Sequence, residues 1–417
     1  MTDEIARPNE FVAGWKPLLA AAIATSFATT TLPFNILGAV IVPLQQEFGW
    51  GRGDITLCYF FFTVVSALSF LLIGRVIDRY GARALALVGI PASALGLSLI
   101  SLSGDSLASF YALWSLLGVL GAAASPVTYT RVVNEWFSRQ RGLALALCLS
   151  LGGVVLTFQQ VASTLLVERY GWRTMFVLMA IVLLVVCWPP VYLYFRSPSS
   201  HAGQGPRSPS LGGLSLGQTL RGYRFHALAL GVVLVTLGIS GVMINFKPIL
   251  GDAGISPEQT AWIAGAIGLA VVTGRLLTGF LVDRYWAPAI AASLLVLPAL
   301  SCWLLLPGEL TVVMALMAGL LIGLATGAEG DLMPFLTVKY FGLRHYGRIY
   351  AVLLAIFFTA SGIAPFLMGR VFDAFGSYRP ALVTAAAMFV AGALLFLALG
   401  RYPNTGTYET AEKEAHR

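Results

Sequence analysis

Charge is scarce in this chain. Only 11% of its 417 residues are Asp, Glu, Lys or Arg, while 58% are hydrophobic. A soluble globular protein carries about 25% charged residues, so water cannot be the solvent on every side. Cysteine and histidine are scarce as well. Cys58, Cys148, Cys187 and Cys302 all fall in apolar runs at no metal-ligand spacing, and read as reduced packing residues. The histidines (His201, His226, His345, His416) are scattered near polar segments, with no His–Cys–acid cluster and no Gly-rich loop after a strand. No metal, cofactor or enzymatic chemistry is expected. Residues 1–16 are polar, and the first apolar run is too long for the core of a cleavable signal peptide.

What the chain has instead is length of apolar sequence. Runs able to cross about 30 Å of hydrocarbon as helices recur at 17–44, 54–77, 84–103, 107–134, 142–167, 173–195, 225–250, 258–281, 287–306, 310–336, 347–370 and 378–400. Strands do not fit, because barrel strands alternate polar and apolar residues over about ten positions. The net charge of +7 raises the question of a polyanionic partner. Its distribution answers it. Arg52, Arg169, Arg173, Lys247, Arg370 and Arg379 fall on one set of connections. Every other Lys and Arg except Arg275 falls on the set that includes both termini. The positive-inside rule places that set in the cytoplasm, so the basic balance reflects topology and no nucleic-acid partner is expected.

Between the sixth and seventh runs lies "SPSSHAGQGPRSPSLGGLSLGQ" (197–218), rich in Ser, Gly and Pro and without apolar periodicity, which reads as a linker. The expected organisation is a six-helix bundle over 1–196, a cytoplasmic linker over 197–224, and a second six-helix bundle with a cytoplasmic tail over 225–417. The halves resemble each other. "GRVIDRYGAR" (74–83) follows the second run and "GFLVDRYWAP" (279–288) the eighth. "VNEWFSRQRGLALA" (133–146) follows the fourth and "VKYFGLRHYGRIYA" (338–351) the tenth. This is a duplicated six-helix unit. A tight basic turn obeying the charge rule would explain one copy, but two copies at matching positions ask for more.

Gly74, Asp78, Arg79, Gly81 and Arg83 match the G-x-x-x-D-R-x-G-x-R signature of the major facilitator superfamily, and the chain resembles that family along essentially its whole length. The resemblance implies an all-α integral membrane fold of twelve transmembrane helices, in two pseudo-symmetric six-helix bundles that rock about a central cavity. It gives Gly74, Asp78, Arg79 and Arg83 a role in conformational gating, shared by Asp283 and Arg284 in the second copy. That copy keeps Gly279 but lacks the terminal Gly and Arg. "EWFSRQRGLALALCLSLGG" (135–153), "INFKPILGDAGIS" (244–256) and "GAEGDLMPFLTVKYFG" (327–342) further resemble the bacterial monocarboxylate transporter and oxalate–formate exchanger branch. The acidic-Gly signature of the animal carriers is absent before the first run, where this chain has "EFVAGWK".

Arg275 stands alone in "VVTGRLLTGF" (271–280), eight positions before Asp283. A charge at the centre of a span costs about 2.5–3.5 kcal/mol on the insertion scale, and such residues face an internal cavity. An internal ion pair or an interface residue would account for it. So would an anion anchor, since a guanidinium offers a planar fork to a carboxylate and is charged at any pH. The branch resemblance implies the anchor, because an arginine at this place in span eight is read there as the substrate-carboxylate ligand. The aspartate that the animal carriers have one turn earlier is Val271 here. Glu329 and Asp331 in the tenth run are candidates for proton coupling or for pairing with Arg275. Two residues apart on a helix, they cannot both face one cavity. Asn35, Tyr59, Tyr129, Gln159, Gln160 and Asn245 are polar groups that either line a pore or join helices, and Phe358, beside Phe357, is a candidate aromatic contact.

The expectation is a secondary transporter for a small organic monocarboxylate, coupled to protons, monomeric, and embedded in a bacterial inner membrane with both termini cytoplasmic. An efflux carrier for drugs or other amphiphiles would share the fold, and a membrane receptor without turnover is a third reading. Dianion exchangers of the related branch use a second basic residue in span eleven. Residues 349–369 contain no charge, so the ligand is expected to carry a single negative charge.

Overall fold

In hydrocarbon a backbone must satisfy its own hydrogen bonds, and a chain this apolar does so by folding into helices. The computed structural model describes residues 10–28, 31–137, 141–196, 214–342 and 346–402, with positions 71, 74, 75, 78, 127, 134, 141–143, 145–146 and 346–347 described by backbone alone. The helices are α1 Glu10–Ser26, α2 Leu32–Phe48, α3 Arg52–Tyr80, α4 Ala82–Ile100, α5 Leu107–Leu120, α6 Pro126–Trp136, α7 Arg141–Tyr194, the short α8 Leu216–Arg221, α9 Tyr223–Asp252, α10 Pro257–Val282, α11 Ala287–Leu295, α12 Leu297–Leu304, α13 Val312–Phe341, α14 Tyr346–Phe375 and α15 Arg379–Leu397. Among the described residues, nine helical segments are long and apolar enough to cross a membrane, with mean hydropathy from 1.5 to 2.5.

The difference from twelve apolar runs has local causes. The first run is interrupted between α1 and α2, and the fourth between α5 and α6, where "GAAAS" (121–125) precedes Pro126. The fifth and sixth runs are joined in α7. Its backbone leaves the helix at Gly171 (φ 79°, ψ 164°), a left-handed φ that glycine adopts without steric cost. Both copies of the repeated loop motif occupy the same structural place. The first spans the end of α3 and the start of α4, the second the end of α10 and the start of α11. Gly81, between α3 and α4, has φ 81°.

Contacts divide the chain into two compact units, one of residues 1–36 with 61–203, the other of 37–60 with 204–417. Residues 37–60 belong to the second unit, so that α2 and α3 each begin in one unit and end in the other. In the first unit, α7 packs on α1 and α4. Trp114 of α5 is fully buried among Phe62, Phe110 and Phe176, with ring centroids 6.1–6.4 Å away. In the second, α9 packs on α14 and α15, and α13 on α10. Ser256 and Gln259 form a capping box that starts α10. The linker residues 197–213 and the tail 403–417 lie outside the described residues, as do His201, His345 and His416.

Candidate functional site

The crossing of α10 and α13 builds the site. It is lined by Gly274 on α10 and by Gly323 and Gly327 on α13, and side chains there would strike backbone. A Cβ at Gly274 would collide with the Leu324 carbonyl, one at Gly327 with the Val271 carbonyl, and one at Gly323 would lie 2.8 Å from the Ile267 carbonyl. Small residues let two helices approach in this way. The approach sets Arg275 of α10 against the next turn of α13. Arg275 Nε lies 3.3 Å from Asp331 Oδ2. Gly330 keeps the space clear, since a Cβ there would lie 3.4 Å from Arg275 Nη2. Four residues further on, Pro334 removes the amide that would have bonded the Gly330 carbonyl within the helix. Arg275 stands seven residues before the end of α10, about 10 Å along its axis. The pair is not fully enclosed by protein, with side chains 26% and 35% exposed.

Glu329 points elsewhere, as its two-residue offset from Asp331 requires. It is 8% exposed and accepts a hydrogen bond from the Thr236 hydroxyl of α9. Ser240, one turn along the same face of α9, donates to the Ser361 hydroxyl of α14 at 3.0 Å, and Ser361 also bonds the Tyr59 hydroxyl. Three turns beyond Thr236, that face carries Lys247, buried at 8% exposure. The charge pattern had assigned Lys247 to a connection between spans. It lies inside α9 because the helix continues to Asp252.

The remaining candidates are dispersed. In the first unit Asn35 Nδ2 donates to Gln159 Oε1 at 2.6 Å, and Gln159 Nε2 donates to the Ser26 carbonyl at 3.3 Å. Tyr129 is 1% exposed and edge-on to Phe195 at 5.8 Å. In the second unit Asn245 donates to the Gly241 and Pro365 carbonyls and accepts from the Tyr378 hydroxyl at 3.0 Å. Phe357 and Phe358 meet edge to face at 5.6 Å. Of the gating candidates, Gly74 and Asp78 lie outside the residues described with side chains. Arg79 is exposed over Tyr80, and Arg83 donates to the Tyr192 carbonyl at 2.9 Å. Asp283 closes α10, while Arg284 folds back over the Phe280 ring at 3.6 Å. Among the described residues no group of three or more His, Cys, Asp and Glu could hold a metal ion.

A bundle of long apolar helices with a guanidinium and two carboxylates inside it is the architecture of a membrane carrier. The chain matches the Major Facilitator Superfamily model over residues 19–354 and 228–416, and it belongs to that family. It is similar to monocarboxylate transporter 11 of Homo sapiens, 25% identical over 96% of this chain and 86% of that protein. It is also similar to the MFS transporter asaE of Aspergillus flavus, 26% identical over 80% of this chain and 74% of that one. Among solved structures, a bacterial homolog of the human lysosomal transporter Spinster, in an inward-facing and occupied conformation, superposes with a TM-score of 0.67 at 16% identity, covering 98% of both chains. The family and these relatives are transporters, not enzymes.

Proposed function

We propose that the protein is a proton-coupled secondary transporter of small organic monocarboxylates, working as a monomer by alternating access in a bacterial inner membrane with both termini cytoplasmic. The observation that carries this reading is the Arg275–Asp331 pair. A guanidinium inside a span, 3.3 Å from an internal carboxylate and partly exposed, is a site where a substrate carboxylate can take the place of Asp331. The match to monocarboxylate transporter 11 along nearly the whole chain supports the same substrate class.

The exchange links the two loads. Once the substrate engages Arg275, Asp331 stands without its cation in a medium of low dielectric, where neutralisation by a proton costs less than an unpaired charge. Glu329, bonded to Thr236, is a second acid through which a proton can pass. Tyr59 and Phe358 are the proposed contacts for the rest of the ligand in the second unit, with Asn245. Asn35, Tyr129 and Gln159 are the corresponding proposals in the first. Asp78, Arg79 and Arg83, with Asp283 and Arg284, act in gating at the linker-proximal end.

The test is a thermal-shift screen of purified protein against aliphatic and aromatic monocarboxylates, amines and neutral drugs, since ligands that bind the folded state raise its melting point. Stabilisation by monocarboxylates that disappears in Arg275→Gln is expected. Stabilisation by amines or neutral amphiphiles instead would transfer the reading to an efflux carrier.

A further inference from the structure

Arg52 is the first residue of α3, in the polar stretch "WGRGD" (50–54), yet it is only 5% exposed. Its guanidinium grips Asp252, the last residue of α9, with both nitrogens, Nη1 to Oδ2 at 2.5 Å and Nη2 to Oδ1 at 2.8 Å. Nε donates to Gln45 Oε1 at 2.9 Å, and Nη1 also reaches the Tyr378 hydroxyl at 3.3 Å. The Phe372 ring lies 3.8 Å beneath it.

A second acid holds the backbone. The amides of Arg52 and Gly53 donate to the two oxygens of Asp373, each at 2.8 Å. The first amides of a helix have no partner within it. The residue before α3 is Gly51, which has no side chain to cap them, and Asp373 of α14 does so instead. Glycines let the two elements touch, for a Cβ at Gly369 would lie 2.6 Å from the Gly53 nitrogen. Two turns before Gln45 on α2, Gly38 lies against the Ile244 carbonyl of α9.

These contacts explain why 37–60 is compact with 204–417 although α2 and α3 each continue into the other unit. The partners lie where α2 meets α3, at the end of α9, and where α14 meets α15, so all stand at one end, opposite the one where the linker enters α9. A bidentate fork and a two-amide cap tolerate little displacement, so a small shift of 37–60 breaks them together. At helix ends the released charges regain water, which a pair in mid-span would not.

We propose that Arg52, Asp252 and Asp373 form a latch that holds residues 37–60 against α9 and α14, and that its release opens the linker-distal end of the transporter. It rests on the alternating-access reading and supplies the gate opposite the one assigned to Asp78. Arg52 and Asp252 carry the charge pair, and Asp373 is the positioning residue for α3.

The test uses Thr56, fully buried one turn below Arg52 on the same helix face. Thr56→Cys is made with the four native cysteines replaced by alanine, and its reaction with a soluble maleimide is followed in nanodiscs, where both faces are accessible. The expected result is slow labelling in the parent and labelling faster by about tenfold or more in Arg52→Gln, Asp252→Asn and Asp373→Asn, as for a population shift toward the open state. Arg52→Gln combined with Asp252→Asn should add little to either alone. A second reporter that retains only Cys302, buried in α12, should keep its parental rate. Unchanged labelling at position 56 in all three variants would overturn the latch, and so would equal acceleration at Cys302, which would signal general loosening. No substrate enters this readout, so its outcome is separate from that of the carboxylate reading.

Discussion

Arg275 and Asp331 face each other at 3.3 Å without burying themselves completely. A charge-assisted hydrogen bond is worth about 1.5–3 kcal/mol, which is roughly 10- to 100-fold in affinity. Arg275→Lys keeps the charge but loses the planar fork, so its monocarboxylate affinity should fall about tenfold. Arg275→Gln loses both and should fall about a hundredfold. Isothermal titration of purified variants checks both, and undiminished affinity in Arg275→Gln would remove the anchor. Asp331 and Glu329 then separate by partner. Asp331→Asn should uncouple substrate accumulation from the proton gradient, whereas Glu329→Gln, which can keep its bond to Thr236, should retain binding and change the pH profile of uptake. Uptake into proteoliposomes across pH is the measurement, and wild-type profiles in both would end the coupling scheme. Arg275 was legible in the sequence because a charge is out of place in an apolar run. Arg52 was not, because a charge between two spans looks ordinary, and its partners Asp252 and Asp373 lie some 200 and 321 positions further along.

At the scale of elements, apolar length located the helices but not their interruptions. Hydropathy registers transfer into lipid, while continuity depends on backbone details such as the left-handed Gly171 inside α7 or Pro126 at the start of α6. The crossing of α10 and α13 rests on glycines at 319, 323 and 327, four apart on one face of α13, a spacing the sequence reading did not single out. What the spacing does not name is the partner, which is Gly274 with the carbonyls of Ile267 and Val271. Gly327→Leu should force the helices apart at a cost of about 1–3 kcal/mol of overpacking. Because it also moves Arg275 relative to Asp331, it should lower substrate affinity as well as melting temperature. Gly279→Leu, at a position with open space around it, is the control and should change neither.

For the molecule as a whole, the cations held within the helices bound the charge of what it can carry. The sequence offered Arg275 alone; among the described residues the fold adds Arg52 and Lys247, both buried in the same unit, and Arg52 is already gripped by Asp252, which leaves Arg275 and Lys247 to compare. Their positions keep the two from acting on one small ligand. Lys247 is five residues from the end of α9, and Arg275 is eighteen residues into α10. At a rise of about 1.5 Å per residue in two helices running back to back, they differ in depth by roughly 20 Å. The carboxylates of a short diacid are far closer together than that. A diacid held at Arg275 would leave its second charge unpaired in a low-dielectric setting, at a cost of several kcal/mol. A monocarboxylate should therefore bind at least about tenfold more tightly than the dicarboxylate of matched length. Lys247→Gln should leave that preference intact, because the lysine stands too far away to supply the missing partner. Competition of unlabelled mono- and dicarboxylates against a bound radiolabelled monocarboxylate, in wild type and Lys247→Gln, measures both ratios. A dianion preference in wild type that vanishes in Lys247→Gln would mean that the two cations share one ligand, and that its carboxylates span the depth between α9 and α10.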